Sequence, residues 1–148
     1  MKEWQGSAGI CLNEMGELLM VLQGTPEEEK TWSVPSGGKE KDETYEECCM
    51  REIAEETGYE TEIIEKIKVK KEKYPEFDIS VEVHYFLVNI IGGRRIIQDP
   101  DHLIHDIAWK SVHQLETLKL SFPEDKDFLR DYIKRHSTLR GKQSREQA

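Results

Sequence analysis

The chain has no apolar run long enough to cross a bilayer. Its longest is LLMVL at 18–22, against the roughly 20 residues that a spanning helix needs. The first residues, MKEWQGSAGICL, hold no apolar segment of the kind that directs export. Cysteine is scarce too: Cys11 and the adjacent pair Cys48 and Cys49 form neither an even framework nor a Cys-x-x-Cys. The expectation is three reduced thiols in a soluble cytoplasmic protein, with the pair at small, buried helix positions. Positive charge is short, with 21 Lys and Arg against 30 Asp and Glu and a formal net charge of -9. That argues against a nucleic-acid polymer as partner, since polymers are gripped by basic stripes that release counterions. A small anionic ligand stays open if a cation mediates.

What is present suffices for one core: 148 residues, 36% of them hydrophobic. The expectation is a single domain over residues 1–136 and a polar, frayed tail over 137–148. Weak alternation from Trp4 to Leu12, the turn signal NEMGE and then LLMVLQ predict a β-hairpin. A short strand is expected at Trp32–Val34, and PSGGKEKD, rich in Pro, Gly and Ser, is expected to be a shaped loop. Helix signals agree from Glu43 or Thr44 to Thr57, with Gly58 where a left-handed cap is needed. TEIIEKIKVKKEKY and DISVEVHYFLVNI read as two strands joined near Pro75, the second alternating at Ile79, Val81, Val83 and Tyr85. IGGRRIIQDPD reads as a loop and LIHDIAW as a strand. Ser111 with Gln114 forms a capping box for a short helix through Leu118. A last helix starts at Pro123, with apolar positions Phe128, Leu129, Tyr132 and Ile133.

The helix at 44–57 is peculiar. At about 100° per residue, Glu52, Glu55 and Glu56 share one side, opposite a stripe of Met50, Ile53, Ala54 and Thr57. Those carboxylates crowd the C-terminal turns, where the helix dipole is already negative. Residues 40–60 hold nine acids against only Lys41 and Arg51. Each like-charge pair three or four apart costs about 0.2–0.5 kcal/mol. Such a cluster is poor for stability and well suited to a hard divalent cation, which takes carboxylate, carbonyl and water oxygens. The competing reading, a solvated glutamate face, explains the helix alone but leaves the glycine loop and Arg51 without a role.

From Gly37 the chain runs Gly, five residues, Glu43, seven residues, Arg51-Glu52, Ile53, one residue, Glu55-Glu56, one residue, Gly58 and Tyr59. This spacing resembles the signature of the Nudix hydrolases, departing only at Tyr59, where the family prefers an aliphatic residue. WSVPSGG upstream resembles the family's lead-in, with Ser36 as an extra residue before the glycines. The resemblance implies an α/β fold, the Nudix α/β/α sandwich with a mixed β-sheet. It also implies a pyrophosphohydrolase that uses Mg²⁺ or Mn²⁺ to cleave a phosphoanhydride bond of a nucleoside triphosphate or of a nucleoside diphosphate linked to another moiety. Carried over by position, Glu52, Glu55 and Glu56 would bind the metal with the carbonyl of Gly37, while Arg51 would pair with Glu43 and orient the other acids. Glu52 is the first choice as general base, since clustering raises a carboxyl pKa. Some members use an acid from a later loop, for which Asp99, Asp101 and Asp106 are available. Dimers occur in the family, though no segment here marks a homodimer interface. The alternative function is a Nudix-fold module that senses a nucleotide without turnover.

Substrate signals are thinner. Trp32, Tyr74, Phe86 and Trp109 are available to stack on a base, and each is equally a core or edge residue. Lys66, Lys68 and Lys70 alternate as a solubilising edge or a phosphate attractor. Arg94 and Arg95 suit a loop tip or a phosphate clamp. His84, His102 and His105 lack ligand spacing and read as structural or surface residues.

Overall fold

The computed structural model describes residues 1–97 and 102–147. Its strands are β1 (Lys2–Cys11), β2 (Leu18–Gln23), β3 (Thr31–Ser33), β4 (Ser36–Gly38), β5 (Tyr59–Tyr74), β6 (Ile79–Gly93) and β7 (Ile104–Lys110). The helices are α1 (Tyr45–Thr57), α2 (Val112–Thr117) and α3 (Lys126–Gln147). One sheet has the order β4-β1-β6-β5 and the other β3-β2-β7. β1 and β6 run parallel over ten residue pairs, whereas the remaining ladders are antiparallel, so the first sheet is mixed.

Adjacent strand residues point to opposite faces, and the core divides accordingly. Ile10, Leu18, Met20 and Tyr85 pack with Leu115 of α2 and Leu129, Tyr132 and Ile133 of α3. Their immediate neighbours Cys11, Leu19, Val21 and Phe86 pack with Cys49 and Ile53 of α1. Helices therefore cover both faces of the strand layer, which is the expected α/β/α sandwich. Each fully buried Leu or Ile in these layers contributes about 1.5–3 kcal/mol.

The expected first hairpin is not a hairpin within one sheet. Its turn forms, with the Asn13 side chain accepting from the backbone N–H groups of Met15 and Glu17. A single Leu12–Leu18 bridge is all that then joins the strands, and they diverge into different sheets. Alternation alone does not say which strand is a partner. The supposed loop at 35–42 also contains β4, which pairs Gly6, Ser7 and Ala8 with Gly38, Gly37 and Ser36. Glycines count against strand on propensity, but here they let a backbone lie against its neighbours where a side chain would not fit. The strand β6 also reaches Gly93, inside the segment read as loop, and α3 continues as helix through Gln147, beyond the boundary expected at 136.

Candidate active site

Helix α1 is fixed at both ends. Thr44 and Glu47 form a reciprocal capping box, and Gly58 takes a φ of 83° at the other terminus, its N–H bonded to the Ala54 carbonyl. A Cβ at Gly58 would lie 2.2 Å from the Arg94 carbonyl oxygen, so both conformation and space require glycine there.

The buried face of α1 is not the predicted stripe. Cys48, Cys49, Ile53, Glu56 and Thr57 are buried, whereas Met50 and Ala54 are only half-buried. The acidic side turns inward onto β4. The Glu56 carboxylate accepts from the Ser36 N–H at 3.3 and 3.4 Å. The Glu52 carboxylate lies over Gly37, where a Cβ would come within 2.1 Å of its Cδ. A pattern built on apolar residues misses this packing, because the helix buries carboxylates against backbone.

Arg51 ties loop and helix together. Its Nε donates to Glu43 Oε2 at 2.6 Å, and Nη2 donates to Glu43 Oε1 and to the Gly38 carbonyl, each at 2.9 Å. Nη1 donates to Glu52 Oε1 at 2.8 Å and reaches Glu55 Oε2 at 3.4 Å. This is the expected Arg51–Glu43 pair, in the two-pronged form a guanidinium allows. The fork holds the Glu43 carboxyl down at about 2. The same bond raises the Arg51 pKa, and burial pushes Glu52 upward against the pull of Arg51.

Four of the named acids, Glu43, Glu52, Glu55 and Glu56, thus sit around Arg51 and β4. Among the described residues, no three His, Cys, Asp or Glu side chains converge as a ready-made ion cage. Arg51 Nη1 reaches both Glu52 and Glu55, so a cation there competes with a guanidinium for the same oxygens. The Gly37 carbonyl oxygen accepts a long contact, 3.5 Å, from the Cys48 thiol. All three cysteines are buried and none is in a disulfide, and burial pushes Cys49 up to about 12.

Of the later-loop acids, Asp99 and Asp101 lie outside the described residues. Asp106 accepts from Arg95 Nη2 at 2.7 Å, which also settles Arg95 on β7. His84 is buried, stacked on Tyr45 with ring centroids 3.5 Å apart, and bonded to Glu82. His105 bonds the Gly24 carbonyl. Phe86 belongs to the core, and Trp109 packs against the cluster under α1.

A cavity of about 250 Å³ opens beside Ser36, with Trp4, Trp32, Tyr74 and Phe122 among its walls. Trp4 joins it to the glycine strand: its Nε1 would be 3.3 Å from a Cβ on Gly38. Two charged residues line this largely apolar space, Lys70 and Asp125. Sequence reasoning named Lys70 only as one of three alternating lysines and missed Asp125. Register shifts in β5 between Ile63 and Glu65 and between Lys66 and Lys68 break the alternation, so Lys70 turns inward. Asp125, in the turn before α3, looks like an ordinary helix-start acid.

Comparison with protein-family models matches the NUDIX domain over residues 4–132. A putative nudix hydrolase of Caenorhabditis elegans is 28% identical over 127 residues, covering 84% of this chain and 33% of that protein. A putative 8-oxo-dGTP diphosphatase of Bacillus subtilis is 37% identical over 90 residues, 61% of this chain and 56% of that protein. The chain therefore spans about a third and about half the length of these two relatives. The solved structure of a NUDIX hydrolase from Nitrosomonas europaea superposes with a TM-score of 0.79 at 18% identity, covering 88% of each chain. By the extent of the family match and the folded signature at its centre, the chain belongs to the Nudix family.

Proposed function

We propose that the chain is a divalent-metal-dependent pyrophosphohydrolase that cleaves a phosphoanhydride bond of a nucleotide, either a nucleoside triphosphate or a nucleoside diphosphate joined to another group. The observation that carries this reading is the Arg51 fork, which holds Glu43, Glu52 and Glu55 at the glycine strand. A helix stabilised only for its own sake would not gather carboxylates at its negative end. The name of the Bacillus subtilis relative supports a nucleoside triphosphate as substrate.

Residues at the site fit a hard cation. The donors are all oxygens, and the bare Gly37 leaves room for the Glu52 carboxylate. Glu52, Glu55 and Glu56, with the Gly37 carbonyl, would hold Mg²⁺ or Mn²⁺. When bound, the ion neutralises phosphate oxygens and acidifies a water. Arg51 and Glu43 fix the orientation of the carboxylates. Glu52, half-buried with a raised pKa, is the group placed to accept the proton of the attacking water. The cavity beside Ser36 takes the base, with Trp4 and Trp32 as flat walls.

No helix among the described residues is long and apolar enough to cross a membrane. Three cysteines outside any disulfide suit a reducing cytoplasm.

The test is phosphate and nucleotide release from a mixed nucleotide panel, with Mg²⁺ and with a chelator. Metal-dependent release from at least one nucleotide is expected. Tight nucleotide binding without release across the panel would overturn the enzyme reading and leave a sensor.

A further inference from the structure

One cross-strand row runs beneath the start of α1: Gly37 of β4, Ser7 of β1, His84 of β6 and Val69 of β5 are register partners in turn. Gly37 is where the Glu52 carboxylate rests, and the next two residues of the row hold the helix. The Ser7 hydroxyl donates to the Tyr45 carbonyl at 2.7 Å. The Tyr45 ring lies flat on the His84 imidazole, centroids 3.5 Å apart and planes 15° off parallel. One oxygen, Glu82 Oε2, ties the two rings together, accepting from the Tyr45 hydroxyl at 3.0 Å and bonding His84 Nε2 at 2.9 Å. The His84 and Tyr45 bonds hold the Glu82 carboxyl below its ordinary range, whereas burial raises Tyr45. Because an ionised carboxylate only accepts, Nε2 carries the proton. His84 is 7% exposed, and its other nitrogen, Nδ1, is buried without a hydrogen-bond partner among the described residues. A phenyl ring would stack on Tyr45 without leaving a buried nitrogen unpaired, so stability alone does not account for an imidazole.

We propose that His84 is a positioning residue for the metal-binding face of α1, setting through Tyr45 where the helix begins. The inference rests on the metal-dependent reading above and adds to it a residue outside the signature. Tyr45 is the first residue of α1, one beyond the Thr44 cap and two beyond Glu43, which takes the Arg51 fork. One turn on, the Cys48 thiol reaches the Gly37 carbonyl. A stacked ring alone is free to slide in its plane. The two bonds to Glu82 Oε2 remove that freedom, and the Ser7 bond fixes the backbone beside it. A helix is stiff, so a shift at Tyr45 is carried to Glu52, about 10 Å along the axis. Glu52 then leaves its place over Gly37, and Arg51 loses its fork on Glu43. A misplacement of about 1 Å is enough to matter at a reacting centre.

The test is Mn²⁺ affinity, measured by calorimetry without nucleotide, beside thermal unfolding and the kcat and KM for a nucleotide that the parent hydrolyses. His84→Phe keeps the stack and loses the bond to Glu82. It should unfold within about 4 °C of the parent, bind Mn²⁺ at least about tenfold more weakly, and lose kcat with KM little changed. His84→Gln, whose amide donates to Glu82, should recover most of both losses. Because a phenyl ring is larger than an imidazole, Tyr45→Phe gives a second route: it removes the other bond to the same oxygen without adding volume, and should also weaken Mn²⁺ binding. Parent-like Mn²⁺ affinity and kcat in both phenylalanine variants overturn the proposal, as does a parent that binds no Mn²⁺. So does a His84→Gln protein as impaired as His84→Phe, or a loss of affinity seen only in protein already unfolded. If Mn²⁺ affinity falls as expected but the parent hydrolyses no nucleotide, the hydrolase reading fails and the positioning role stands. If the parent hydrolyses a nucleotide and both phenylalanine variants equal it throughout, the reverse holds.

Discussion

Arg51 meets Glu43 with two parallel bonds, Nε at 2.6 Å and Nη2 at 2.9 Å from the two carboxylate oxygens, and the same guanidinium continues to Gly38 and Glu52. One planar group thereby fixes the loop before α1, the glycine strand and the helix relative to one another.

Lysine cannot reproduce that fork. Arg51→Lys keeps the charge but loses most of the contacts, and should cost about 1–3 kcal/mol of stability in urea unfolding. Activity should fall further than stability does, because Glu52 and Glu55 lose a shared anchor. Activity within twofold of the parent would show that the fork is structural only.

The Glu43 carboxyl sits at about 2 in the folded chain, below the roughly 4.3 of a free glutamate. A depressed pKa means that the stability it brings is complete above about pH 4.3 and is lost as pH falls toward about 2. The stability gap between the parent and Glu43→Gln should thus close over that window in metal-free protein. A gap that stays constant down to pH 2 would contradict the assignment.

Gly37→Ala separates fold from function. The added methyl would meet the end of the flexible Glu52 side chain, 2.1 Å from Cδ, so the chain can fold by moving that carboxylate. Thermal stability should change by less than about 1 kcal/mol. Turnover should fall at least about tenfold with Glu52 displaced. Unchanged turnover would mean that the position of Glu52 does not matter.

Much of this arrangement was legible in the sequence. The capping box at Thr44, the terminus at Gly58 and the spacing from Gly37 to Glu56 are local signals, and local signals fix local structure. What stayed hidden depends on contacts distant in the chain. Nothing near residues 13–16 says that β1 and β2 join different sheets. Propensity marks Ser36–Gly38 as loop, yet β1 supplies a partner with Gly6 opposite Gly38. The sequence marks Glu56 as a candidate metal ligand, but its burial against the Ser36 backbone is hidden until β4 is placed over it. Lys70 reads as one of three edge lysines until two register shifts in β5 turn it onto Asp125, more than fifty residues away.

The most direct test of the central claim, that this carboxylate cluster serves metal-dependent cleavage, is Mg²⁺-dependent turnover of Glu55→Gln and Glu56→Gln on a substrate the parent hydrolyses. Both changes preserve side-chain shape while removing a charge. At least one should reduce kcat by about 100-fold or more with the fold intact. Full activity in both would contradict the account.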